Sequence, residues 1–137
     1  MQPRRGKNIM GSDSILPDTC AWIDYFNGHD TPIARSLAQS LTSREVTTCG
    51  VVMYELFQGI RSEKEATLLH QAFSSLRFIN FNKDLWITAA HLSSSLRKTG
   101  VTIPASDLQI ATVALQHNLT ILTVDQHFRL IPNLKLE

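Results

Sequence analysis

Four carboxylates of the 137-residue chain stand where solvated acids are not expected. Asp18 ends the apolar run "ILPD", Glu55 sits inside "VVMYELFQGI", Asp107 opens "SDLQIATVAL", and Asp125 ends "LTILTVD". Burying an unpaired charge costs several kcal/mol, and carboxylates brought together raise one another's pKa and destabilise the fold. A divalent cation removes both costs, and an all-oxygen donor set suits hard ions such as Mg²⁺ or Mn²⁺. Each acid also has a local reading. Asp18 caps a helix starting near Ala21; Asp107 lies in a first helical turn, where the helix dipole favours negative charge. Asp125 opens a turn, and Glu55 pairs with Arg61 or faces solvent.

The elements that hold these residues favour a shared location. Ile15–Asp18 reads as a short buried strand and Ala21–Phe26 as one or two helical turns. "NGHDTP" is turn chemistry, with Asp30 or Thr31 as N-cap and Pro32 at the first position of a helix to about Leu41. "EVTTC" is β-branched and reads as strand. A helix follows that carries Glu55 about one turn in and ends at Gly59. Glu63–Leu76 is a further helix with an apolar stripe at Leu68, Leu69, Ala72, Phe73 and Leu76, and "RFINF" is a short strand. Asn82 caps a helix through Lys98, with Gly100 just beyond its end. Pro104 introduces a helix over about Ala105–Asn118 that is apolar nearly all round and hence buried. Leu119–Val124 is the clearest strand, and "FRLIPNLKL" adds an edge strand. Alternating strands and helices indicate an α/β chain: a three-layer α/β/α sandwich around a mostly parallel central sheet. Ligands of such sheets bind beyond the carboxyl ends of the strands, the end at which all four acids fall.

Length and composition bound the rest. The chain is one domain by size, read as a flexible, tag-like arm over residues 1–12 and a folded domain over 13–137. It is 43% hydrophobic and 18% charged with a net charge of +1. Removing Arg4, Arg5 and Lys7 from the 13 basic residues leaves 10 against 12 acids, so the body is mildly acidic. No apolar stretch approaches the roughly 20 residues of a membrane span, and "MQPRRGKNIMGSDS" lacks a signal-peptide core; a cytoplasmic location is expected. Cys20 and Cys49 have no metal-ligand spacing and read as small buried hydrophobes. No phosphate-binding glycine loop occurs. The five histidines show no metal spacing; His127, two residues past Asp125, reads as a surface residue, with a place lining the cleft as the alternative.

Three segments in order, "PDTCAWIDYF", "VVMYELFQGIR" and "IPASDLQIATVALQHNLTILTVDQHF", resemble the PIN domain, and most of all the VapC-type ribonuclease toxins of bacterial toxin–antitoxin pairs. The resemblance runs from about Ile15 to Leu134. It implies a PIN-like fold and a metal-dependent endoribonuclease, a phosphodiester hydrolase. Asp18, Glu55 and Asp107 match the family acids that hold the catalytic Mg²⁺, with Mn²⁺ as a substitute. Asp125 matches a fourth, more variable acid. Thr19 and Thr123 match hydroxyl positions beside the metal, and Arg61 matches a basic position at the rim. Cys20 departs from the pattern, since small or hydroxyl residues are common there. The expected nucleophile is water rather than a side chain, giving a 5′-phosphate and a 3′-hydroxyl.

The same resemblance implies an RNA substrate, with transfer RNA as a target class. It also implies a homodimer, and a cognate antitoxin that wraps the surface and places a cationic side chain among the acids. Contacts to RNA fall to surface cations, with Arg61, Lys64, Arg97, Lys98 and the N-terminal arm as candidates. Trp22, Tyr25, Phe26 and Tyr54 read as core or interface packing. The competing expectation is a protein-binding module of the same fold with a structural or silent metal site. A phosphohydrolase using Asp18 as nucleophile needs a second Asp two residues on, where Cys20 stands.

Overall fold

The computed structural model describes residues 14–137. The reading of residues 1–12 as an arm falls outside the described residues. Five strands form one sheet: β1 (Ser14–Pro17), β2 (Glu45–Cys49), β3 (Arg77–Ile79), β4 (Thr120–Leu122) and β5 (Lys135–Leu136). Their order is β3-β2-β1-β4-β5, and every neighbouring pair is parallel. All four residues of β1 are buried, as are Val46 to Cys49 and all of β4. Strands covered on both faces explain why "SILP" and "TIL" show no polar alternation.

Six α-helices connect the strands: α1 (Thr19–Phe26), α2 (Pro32–Ser43), α3 (Gly50–Gln58), α4 (Glu63–Ser74), α5 (Lys83–Lys98) and α6 (Ala105–His117). α1 packs on α2, Trp22 of α1 lies 4.9 Å from Phe73 of α4, and α5 packs on α6. The chain winds from β1 through β2 to β3 and then returns past β1 to β4. Right-handed crossovers in the two directions set α1, α2 and α4 against one face of the sheet and α5 and α6 against the other. This is the expected sandwich. α3 touches both α1 and α6. The reversal places a topological switch point between β1 and β4, where the strand ends open a crevice.

Local chemistry sets the boundaries. Thr31, rather than Asp30, caps α2, its hydroxyl accepting from the Ala34 amide at 3.2 Å. Ser62 caps α4 and Asn82 caps α5 in the same way. Gly100 takes a φ of +84°, and Asn118 ends α6 in the left-handed region at +56°. Both cysteines are free thiols.

Two segments differ from expectation. The strand read over Leu119–Val124 leaves the ladder after Leu122, and a 3-10 helix (Gln126–Leu130) precedes β5. The Thr123 hydroxyl accepts from the Asp125 amide and the Asp125 carboxylate from the His127 amide, both at 2.9 Å. Side chains thus satisfy backbone groups that a strand would pair. On α4 only Leu69 of the apolar stripe is buried; Leu68 is 46% exposed. The Asn82 cap satisfies one otherwise orphaned amide of α5. Asn82→Ala is expected to cost about 1 kcal/mol, read as a lower urea midpoint with an unchanged m-value.

Candidate metal centre at the switch point

The four acids meet at this crevice. Asp18, Thr19, Cys20, Ile23, Glu55, Gln58, Asp107 and Asp125 line one open cleft of about 380 Å³. Asp18 and Asp107 are buried, at 6% and 8% exposure, while Glu55 and Asp125 are half-buried. Asp18 follows β1, Asp125 follows β4 across the switch point, Asp107 lies in the first turn of α6, and Glu55 lies on α3.

Two threonines fix the side chains of Asp18 and Glu55. The Thr19 amide donates to Asp18 Oδ1 at 2.8 Å, while the Thr19 hydroxyl donates to Glu55 Oε1 at 2.5 Å. The Thr123 hydroxyl donates to Asp18 Oδ2 at 2.9 Å and accepts from the Asp125 amide. Asp18 is therefore both the N-cap of α1 and a wall of the cleft. Glu55 bonds Thr19, and among the described residues no ion pair joins it to Arg61. Arg61 is exposed and lines a groove beside the cleft that Glu55 also borders.

The charge is unbalanced. Burial pushes the Asp107 carboxyl up to about 6, with the negative charges of Asp125 and then Asp18 adding to it and His127 opposing. Burial also raises Asp18, against the hydrogen bonds from Thr123 and Thr19. Burial holds the Cys20 thiol up as well, so it stays neutral, its Sγ 3.7 Å from Asp18 Oδ2.

His127 is not the plain surface residue that its sequence context suggests. Its Nδ1 lies 2.9 Å from Asp125 Oδ1 and 3.4 Å from Asp107 Oδ2. Ligand atoms of Asp107, Asp125 and His127 lie within 4.8 Å of one another. The sequence signal was present: a turn after Asp125 brings a side chain two residues on back over the carboxylate. Oxygen-rich donors that resist ionisation together form a set that a divalent cation fits.

Known proteins resemble this chain over most of its length. The family model described as "PIN domain" matches residues 15–134. Ribonuclease VapC11 of Mycobacterium tuberculosis is 28% identical over 122 residues, covering 85% of this chain and 90% of that protein. Ribonuclease VapC2 of Rickettsia felis is 27% identical over 125 residues, covering 88% and 93%. The crystal structure of VapBC2 from Rickettsia felis bound to a DNA fragment from its promoter superposes with a TM-score of 0.75 at 24% identity, covering 90% of this chain and 97% of that one.

A carboxyl whose folded pKa lies near 6, above its ordinary 3.8, binds more protons folded than unfolded between those values. Its contribution to the stability of metal-free protein is present at low pH and is lost as pH rises through about 6. Wild type is expected to lose on the order of 1–2 kcal/mol, relative to Asp107→Asn, between about pH 4 and 7. Urea melts of the two metal-free proteins across that range measure the difference.

Proposed function

The chain belongs to the PIN domain family, and from that premise we propose that it is a metal-dependent endoribonuclease of the VapC type, a toxin held in check by a cognate antitoxin. The observation that carries this reading is the convergence of Asp18, Glu55, Asp107 and Asp125 on one cleft at the switch point. Related proteins named as ribonucleases cover most of its length.

Asp18, Glu55, Asp107 and Asp125 would hold Mg²⁺, or Mn²⁺ in its place, at the cleft. Bound there, the ion lowers the pKa of a water and neutralises charge on the scissile phosphate. Asp18 Oδ1 accepts from the Thr19 amide and Oδ2 from the Thr123 hydroxyl and the Cys20 thiol, which leaves Oδ1 acceptor capacity towards the cleft. The two threonines lock the rotamers of Asp18 and Glu55, so little entropy is lost at these two acids when the site is loaded. Burial holds the Cys20 thiol neutral, and water held at the ion would be the attacking group.

Substrate contacts follow from charge and place. Leu85 and Thr88 of α5 line a pocket with Gln116 and His117 at the far end of α6. α5 thus runs antiparallel to α6, and its C-terminal residues Arg97 and Lys98 lie towards the Asp107 end. They form the cationic approach for a polyanion, with Arg61 on another side. RNA, with transfer RNA as the target class, is the proposed substrate.

The antitoxin reading rests on a groove. A pocket of about 540 Å³ between α1, α2, β2 and α4 shares Phe26 and Leu68 with one of about 240 Å³, which reaches Glu55. An apolar segment laid along this path would bring a cationic side chain to the acids, where it replaces the ion's charge without its chemistry. A homodimer with two clefts on one groove and action in the cytoplasm complete the proposal. Among the described residues no helix is long and apolar enough to cross a membrane.

Asp18→Asn and Asp107→Asn are each expected to lower metal-dependent RNA cleavage by roughly 10²-fold or more while the protein stays folded. Activity retained in both variants would remove the metal assignment to these acids, and a wild type without metal-dependent cleavage would leave a protein-binding module with a silent site. Arg97→Glu with Lys98→Glu is expected to raise KM for RNA and to flatten its dependence on salt, with kcat little changed.

A further inference from the structure

The imidazole of His127 approaches the acids from the 3-10 turn after β4, and the reading of the cleft as a dication site does not use it. Its backbone amide donates to Asp125 Oδ1 at 2.9 Å, which ties the turn to that carboxylate. Its Nδ1 lies 2.9 Å from Asp125 Oδ1 and 3.4 Å from Asp107 Oδ2. Two ligands at right angles on an octahedral ion with bonds of about 2.1 Å stand about 3 Å apart. Both measured separations are close to that figure. With the proton on Nε2, the Nδ1 lone pair faces two carboxylates, a repulsion that either a proton on Nδ1 or a cation between them removes.

We infer that His127 supplies a nitrogen ligand to the ion held by Asp107 and Asp125, and thereby biases this cleft towards transition-metal dications over Mg²⁺. The inference rests on the cleft being a dication site, as proposed above. Mg²⁺ favours an all-oxygen shell and gains little from an imidazole, whereas first-row transition metals accept mixed nitrogen and oxygen donors readily. Among the described residues His127 is the histidine whose ring nitrogen groups with Asp107 and Asp125, so a nitrogen signal that disappears on its substitution identifies it.

The test uses Mn²⁺ as a paramagnetic probe on the full chain. Electron spin-echo modulation of the Mn²⁺-loaded wild type is expected to show ¹⁴N coupling, lost in His127→Gln and in His127→Ala. Calorimetry is expected to give a fall in Mn²⁺ affinity of about tenfold or more in both variants, with the Mg²⁺ affinity changed less than about threefold. Mn²⁺ that binds in an Asp107-dependent way without ¹⁴N coupling overturns the role of His127 and leaves the cleft intact as a dication site. Mn²⁺ binding insensitive to Asp107→Asn overturns the site reading and this inference together. Should either His127 variant unfold, the wild-type spectrum still decides.

Discussion

Negative charge gathered at one point of the sheet is the constraint on which the rest of the structure turns. Asp18, Asp107 and Asp125 come from three separate elements, and burial, with the charges of Asp125 and Asp18 adding to it, lifts Asp107 to about 6. The fold accepts that cost because the backbone leaves little choice. β1 and β4 are adjacent and parallel, so their following residues face one crevice, and the first turn of α6 enters the same space. The threonine hydrogen bonds and the N-cap of α1 hold the acids in place without neutralising them. What is left over is an unmet demand for positive charge.

Much of this was legible in the residues. The N-caps at Thr31 and Asn82, the end of α3 at Gly59 and the alternation of apolar runs with helical stripes reflect short-range physics, and they recover the α/β sandwich. The four acids were legible because each interrupts an apolar context. The end of β4 was not. "LTILTVD" has β propensity throughout, but the Thr123 and Asp125 side chains claim backbone amides that a longer strand would need. For His127 the sequence left surface and cleft both open, because its approach to Asp107 joins residues 20 apart in sequence, across an end of α6 whose position only tertiary packing fixes. The stripe of α4 looked like core, yet Leu68 stays exposed because it borders the groove rather than the sheet.

The groove and the cleft form one continuous surface feature. Phe26 and Leu68 join its two apolar sections, and Glu55 and Ile23 border both its inner end and the acids. Under the proposed reading, inhibitor and ion contend for the same carboxylates. The apolar path supplies affinity and the acids supply the point at which it is felt. Affinity and blockade are thereby separable properties, since the first scales with buried apolar area and the second with one charge.

Helix α1 carries a consequence of its own. It is eight residues long, begins on the Asp18 cap and ends at Phe26. Its first residue organises two acids, while Ile23 and Phe26, one and two turns on, wall the groove. Each helical residue advances the side-chain direction by about 100°. Inserting or deleting a single residue within α1 would therefore swing Ile23 and Phe26 away from the groove while the cap stayed in register. The length of this helix is an indexing device: it keeps two surfaces in phase, and natural variation here should proceed by substitution and not by indel.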